Sequence, residues 1–187
     1  MWPNLLSDPS LYILLLRIDE ELYAEARTQG CPHCGAPLHA AHYPRKPRGG
    51  PDLLPEGYDR RLSSCCSRDG CRRRTTPPSV RFLGRRVYLA AMLVLVSAMQ
   101  HGPDRKRMAK LRELFGVSRW TVYRWRRWWL GAFGDTRFWQ AQRGRLREPP
   151  AREQLPLSLL ECFAGASLAE RLVALLRFLS PLSVPDR

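Results

Sequence analysis

The clearest chemistry in this chain belongs to its cysteines. Cys31-Pro32-His33-Cys34-Gly35 separates two thiols by two residues, the spacing at which a tight turn presents both sulfurs to one tetrahedral ion. Gly35 relieves steric conflict just past such a turn and lets a backbone N–H approach a sulfur. Farther along come Cys65, Cys66 and Cys71. Cys66 with Cys71 makes the better second pair, because Ser67-Arg68-Asp69-Gly70 can form the intervening turn with Gly70 at its strained position. Neighbours on a strand point to opposite faces, so Cys65 would then look away, and it stands as the alternate ligand on that argument alone. His33, His39 and His42 lie near the first pair, and one of them could replace a cysteine. The expected site is a single structural Zn2+ on Cys31, Cys34, Cys66 and Cys71. Four thiolates leave no open position for water, so the ion would fold the segment and not activate a nucleophile. Cys162 stands alone in an apolar stretch and reads as a core residue.

A second constellation runs from Met108 to Arg127, MAKLRELFGVSRWTVYRWRR. Leu111 and Phe115 share one face of a helix that Gly116 can end in the left-handed conformation. Val117 fills the junction, Ser118 is a suitable N-cap, and Val122 and Trp125 face back toward the first helix, with Trp129 continuing that face. This order predicts a helix-turn-helix whose second helix is free to enter a major groove. Its outward residues are Arg119, Trp120, Tyr123, Arg124 and Arg127. Arginine can pair bidentately with guanine, and Ser118 and Tyr123 can reach phosphates or base edges. Arg105, Lys106, Arg107 and Lys110 on the preceding helix are placed to grip backbone. Arg112 occupies the position where the helices cross and a small residue is usual, so either it snorkels outward or the register of the helices is shifted by one position.

These constellations need elements to hold them. The 187 residues carry 31 Lys+Arg against 17 Asp+Glu, a formal net charge of +14, which points to a polyanionic partner and first to double-stranded DNA. Hydrophobic residues make up 44%, enough for a packed core. Asp8-Pro9 opens a helix with Leu11, Leu14, Leu15, Ile18 and Leu22 on one face and Asp19, Glu20, Glu21 and Glu25 on the other, stopped by Gly30. Residues 31–79 are rich in Cys, Pro, Gly and Arg, with strand potential over Asp59 to Cys65, and are too poor in apolar residues for a core of their own. This segment should display Arg45, Lys46, Arg48, Arg60, Arg61, Arg72, Arg73 and Arg74. The apolar run Val87 to Met99, preceded by Arg85 and Arg86, is shorter than the ~20 residues a bilayer needs and reads as a buried third helix, set apart by Gly102-Pro103.

The expected fold is mainly α, with a small zinc-ribbon β module and a trihelical helix-turn-helix core. The expected organisation is an N-terminal helix (1–30), a four-cysteine ribbon (31–79), the helix-turn-helix domain (80–146), a Pro-rich linker (147–156) and a C-terminal amphipathic helix (157–187). That last helix should run unbroken from Leu157 to Leu179 on Leu159, Leu160, Phe163, Leu168, Leu172, Leu175 and Leu176, ended by Pro181 and Pro185. Met1 to Asp8 lack a basic start and an apolar signal core, so a bacterial cytoplasmic, nucleoid-associated location with no membrane contact is expected.

CPHCG, CCSRDGCRRRTTPPSVRF and LFGVSRWTVYRW together resemble the zinc-ribbon and helix-turn-helix portion of bacterial insertion-sequence transposases and related mobile-element proteins, over about residues 31–130. The resemblance implies recognition of element ends, with cutting left to a separate nuclease domain. After Trp129 the acidic residues are Asp135, Glu148, Glu153, Glu161, Glu170 and Asp186, with no predicted strand to array them for two-metal cleavage. Neither a G-x-S-x-G nor a phosphate loop is present. The expectation is therefore no catalytic residue and an accessory or regulator of transposition. A non-catalytic transposase subunit or remnant, a homodimer, and an adaptor docking a partner through its leucine-rich helices are the alternatives.

Overall fold

A computed structural model describes residues 2–84, 87–99 and 104–184. Arg85, Arg86, the Gly102-Pro103 break, Pro185 and Asp186 lie outside the described residues. Helices dominate, and the strands are confined to short antiparallel sheets between residues 38 and 75.

A short helix α1 (Trp2–Leu6) precedes α2 (Pro9–Gln29). Asp8 caps α2 as the sequence predicts: its carboxylate accepts from the Ser10 N–H at 2.9 Å and Pro9 occupies the first turn. Leu11, Leu15 and Ile18 are buried, but two positions depart from the expected stripe. Leu14 is substantially exposed, while Asp19, assigned to the polar face, is 1% exposed. The reason is a partner that a helical wheel cannot show. Arg81, fully buried, donates from Nε to Asp19 Oδ2 at 2.7 Å, and the Val80 N–H donates to Asp19 Oδ1 at 2.7 Å.

The ribbon forms next. Strands β1 (Leu38–Ala40), β4 (Ser64–Cys66) and β5 (Arg74–Thr75) make one antiparallel sheet in the order β1-β4-β5. Strands β2 (Tyr43–Pro44) and β3 (Arg60–Arg61) make a second. The predicted strand over Asp59 to Cys65 is thus two strands in different sheets. Arg61, expected on the surface, is 1% exposed: its Nη2 donates to the carbonyl of Pro77 and to Ser183 Oγ. Burial is the main reason its pKa falls below the ordinary arginine value. Arg81 completes a polar seam, donating to the carbonyls of Tyr58 (2.8 Å) and Arg60 (2.9 Å). The seam ties α2, the ribbon and residues 79–81 together, with Arg81 paired to Asp19 and the buried Nη1 of Arg61 left without a partner among the described residues.

The predicted apolar helix is shorter than its sequence run. Tyr88 and Leu89 are spent on isolated bridges to Arg48 and Phe82, and α3 spans Ala90–Ser97, buried on every side. Among the described residues no helix is long and apolar enough to cross a membrane. Helices α4 (Arg105–Phe115) and α5 (Arg119–Leu130) follow, then α6 (Arg137–Gln142). Leu111, Phe115, Val117, Val122, Trp125 and Trp129 join α3 in the main core. Tyr88 meets Trp125 edge-on at 4.9 Å, and Arg126 Nη1 donates to the Met99 carbonyl at 2.8 Å.

The unbroken C-terminal helix is a further correction. The chain forms α7 (Leu157–Glu161) and α8 (Leu168–Leu179). Between them Ala164-Gly165-Ala166-Ser167 leaves the helix. Ser167 then caps α8 through Oγ accepting from the Glu170 N–H at 3.2 Å, while Glu170 reaches back to the Ala166 N–H at 2.9 Å. A reciprocal cap of this kind outweighs an apolar period that continues across it. Leu172, Leu175, Leu176 and Leu179 are buried in the main core. Cys162 is half-buried and not sealed in, with its thiol against the Ser158 carbonyl at 3.2 Å. The 147–156 segment is also partly anchored, with a 3-10 turn at Arg152–Gln154 and Leu155 buried.

Candidate metal centre and basic helix surface

The Cys31–Cys34 turn begins where α2 ends. Gly30 sits at φ 74° and places Cys31 below the last helical turn. The Cys34 and Gly35 N–H groups both return to the Cys31 carbonyl, at 3.3 and 2.8 Å, with Gly35 at φ 71°. The second pair is built in a similar way. The Cys71 and Arg72 N–H groups return to the Arg68 carbonyl at 3.1 and 3.2 Å, and Gly70 takes φ 82° as the spacing predicts. Register brings the turns together, since β1 pairs Leu38 with Cys66.

The sulfurs of Cys31, Cys34, Cys66 and Cys71 lie within 4.8 Å of one another. Cys34 and Cys66 are 3.4 Å apart, and Cys31 and Cys71 are 3.8 Å apart. Zn–S bonds of about 2.3 Å in a tetrahedron require sulfur separations of about 3.8 Å. The cluster therefore fits a four-thiolate ion, and these residues could hold one. Cys65 does not belong to it: its thiol turns to the Arg72 carbonyl at 3.2 Å, as strand alternation requires. Nor does the cluster draw in a histidine. His33 Nδ1 lies 3.0 Å from Arg73 Nη1, and His42 Nδ1 accepts from the Ser63 N–H at 3.2 Å.

The thiols are unequal. The Cys31 pKa is lowered to about 7, first by the backbone N–H of His33. The Cys66 thiol is pushed up to about 12, first by burial. A buried thiol of that kind favours the thiolate only where a cation or donor compensates it.

The basic surface is carried by α4 and α5. Asp104 caps α4 by accepting from the Arg107 N–H at 2.8 Å. Gly116, at φ 63° and ψ 22°, closes that helix: its N–H meets the Arg112 carbonyl at 3.0 Å, and the Val117 N–H meets that of Leu111 at 3.3 Å. Ser118 Oγ then caps α5 by accepting from the Thr121 N–H at 3.2 Å. Thr121, Val122, Trp125 and Trp129 are buried, which turns Arg119, Trp120, Tyr123, Arg124 and Arg127 outward. Trp120 is 76% and Tyr123 57% exposed, and their rings meet edge-on at 6.3 Å. Arg105, Lys106, Arg107, Lys110 and Arg112 are exposed on α4.

Comparison of the chain with family models, curated proteins and solved structures returns no match. The site's chemistry therefore stands on the geometry. The cysteine spacing and the Gly116 and Ser118 caps were legible in sequence. Ser183 and the Asp19–Arg81 pair left no local pattern, because their contacts join segments far apart in the chain.

Proposed function

We propose that this chain is a zinc-dependent, sequence-specific binder of double-stranded DNA, acting as an accessory or regulator of transposition. The carrying observation is the two-faced α5: an apolar inner face locked by Val122, Trp125 and Trp129, and an outer face of Arg119, Trp120, Tyr123, Arg124 and Arg127. Read as a helix-turn-helix on a trihelical core, α5 enters the major groove with Arg119 and Arg124 toward base edges. Ser118 and Arg127 lie at the backbone, where Arg105, Lys106, Arg107 and Lys110 on α4 add phosphate contacts. Zinc is the proposed ion because closed four-thiolate sites suit it and need no redox partner. The cysteine site would brace the ribbon, and the chain's contribution to transposition would be recognition, beside a transposase partner that cuts.

The leucines of α8 are engaged in the chain's own core, so no observation favours their serving as an adaptor surface.

Selection of duplexes from a random DNA library by the zinc-loaded protein tests the reading. A recovered motif that disappears with Arg119→Ala/Arg124→Ala is expected. Salt-sensitive binding without enrichment would instead make α5 a backbone contact and remove sequence-specific reading.

A further inference from the structure

An open cleft of about 870 Å³ lies where the ribbon meets α6 and the C-terminal turn. Its described lining includes Arg45, Arg74 and Arg137 and no carboxylate. Arg74 is held in place: Nη1 donates to the Ala41 carbonyl at 2.6 Å and to Ser63 Oγ at 3.1 Å, and the guanidinium lies 5.5 Å from the Tyr43 ring centroid. Its Nε and Nη2 have no partner among the described residues. Arg45 is anchored from the other side, with Nη2 donating to the Gly84 carbonyl at 3.3 Å and the guanidinium 5.2 Å from the Phe82 centroid. Behind the wall, buried Arg61 donates to Ser183, itself a lining residue. Arg74 and Arg137 are like charges lining the same cleft, an arrangement that an anion would stabilise. Guanidinium forks match phosphate oxygens best. Tyr43, Phe138 and Leu182 supply an apolar and aromatic wall beside the charges, as ligand clefts of this size commonly do.

We propose that this cleft binds a phosphate ester carrying an aromatic base, a nucleotide unit either free or within a nucleic-acid strand. Arg74 and Arg137 grip the phosphate, and Tyr43 and Phe138 face the base and sugar. The cleft shares no residue with α5, so it is a second site, independent of major-groove reading.

Calorimetric titration of the full-length, metal-loaded protein with ATP, and separately with a 5′-phosphorylated single-stranded DNA oligonucleotide, provides the test. Saturable binding of at least one probe is expected, weakened at least about tenfold by Arg137→Glu and by Arg74→Ala and retained in Arg137→Lys. Arg137 is exposed, so its variants keep the fold, and unchanged thermal unfolding checks this. ATP binding that persists under saturating oligonucleotide assigns the cleft to a free nucleotide. Preferred oligonucleotide binding, with a salt dependence reduced by about one ion in Arg137→Glu, assigns it to a strand. Absence of saturable binding of either probe, or equal affinity in Arg137→Glu, overturns the proposal. Arg124→Ala, on α5, leaves the calorimetric result unchanged whether or not the library yields a motif, so the two readings fail separately.

Discussion

The ribbon and the helical body solve the same problem by different means. The body buries α3 on all sides and gathers leucines, valines and tryptophans from α1 to α8 into one apolar core. The ribbon has only Cys31, Leu38 and Cys66 fully buried in its own small cluster, fringed by Cys34, Ala36 and Cys71. Burial at roughly 25 cal/mol per Å² of apolar area holds the first. It is too little to hold the second, where the four clustered cysteines could hold a metal ion whose ligand bonds would do so. Between them lies the Asp19–Arg81–Arg61 seam, which is polar, buried and shared by both. A cysteine module of this kind would take its stability from a bound ion, while hydrogen bonds of the seam join it to the body.

The largest effect should come from removing a ligand. Cys66→Ser should abolish binding of one metal equivalent and unfold the ribbon, a loss on the scale of the roughly 10 kcal/mol that structural zinc supplies. Metal content and far-ultraviolet circular dichroism check it: the helical signal should persist while bound metal disappears. Collapse of both together would mean that the body depends on the ribbon and would break the comparison.

Next is the seam. Asp19→Ala leaves Arg81 buried without its carboxylate and should cost about 3–5 kcal/mol in denaturant unfolding. A much smaller cost would show that water reaches Arg81 and that the seam does not lock the two regions.

Smaller effects belong to the α4–α5 turn. Ser118→Ala removes the α5 cap for about 1 kcal/mol. Gly116→Ala places a side chain at φ 63° for about the same cost, although no atom lies within 4 Å of the added Cβ. Both should lower the melting temperature without changing metal content.

The smallest separates neighbours in the ribbon. Cys65→Ser should leave metal stoichiometry intact and change stability by under about 0.5 kcal/mol, since its thiol meets only a carbonyl outside the cluster. Loss of metal in this variant would reverse the choice between Cys65 and Cys66.

What could be read from sequence was local. The C-x2-C turn, the alternation separating Cys65 from Cys66, Gly70 and Gly116 with positive φ, and the Ser118 cap each rest on residues a few positions apart. Backbone sterics and turn hydrogen bonds decide such features over one or two turns of chain. The break at Gly165-Ala166-Ser167 was local too, yet the leucine period masked it, because periodicity is averaged over a window longer than a cap.

Tertiary structure alone decided the rest. Asp19 and Arg61 carry the residue types of a surface, and only partners sixteen to more than a hundred residues away make their burial tolerable. The cleft of Arg45, Arg74 and Arg137 likewise draws on β5, α6 and the loop before β3, segments whose meeting no spacing encodes. By itself the sequence determined the two cysteine turns, the Gly116–Ser118 turn and the buried face of α5. Which charged groups end up buried, and which converge on one cleft, depended on long-range packing, because a charge is stabilised by its neighbours in space.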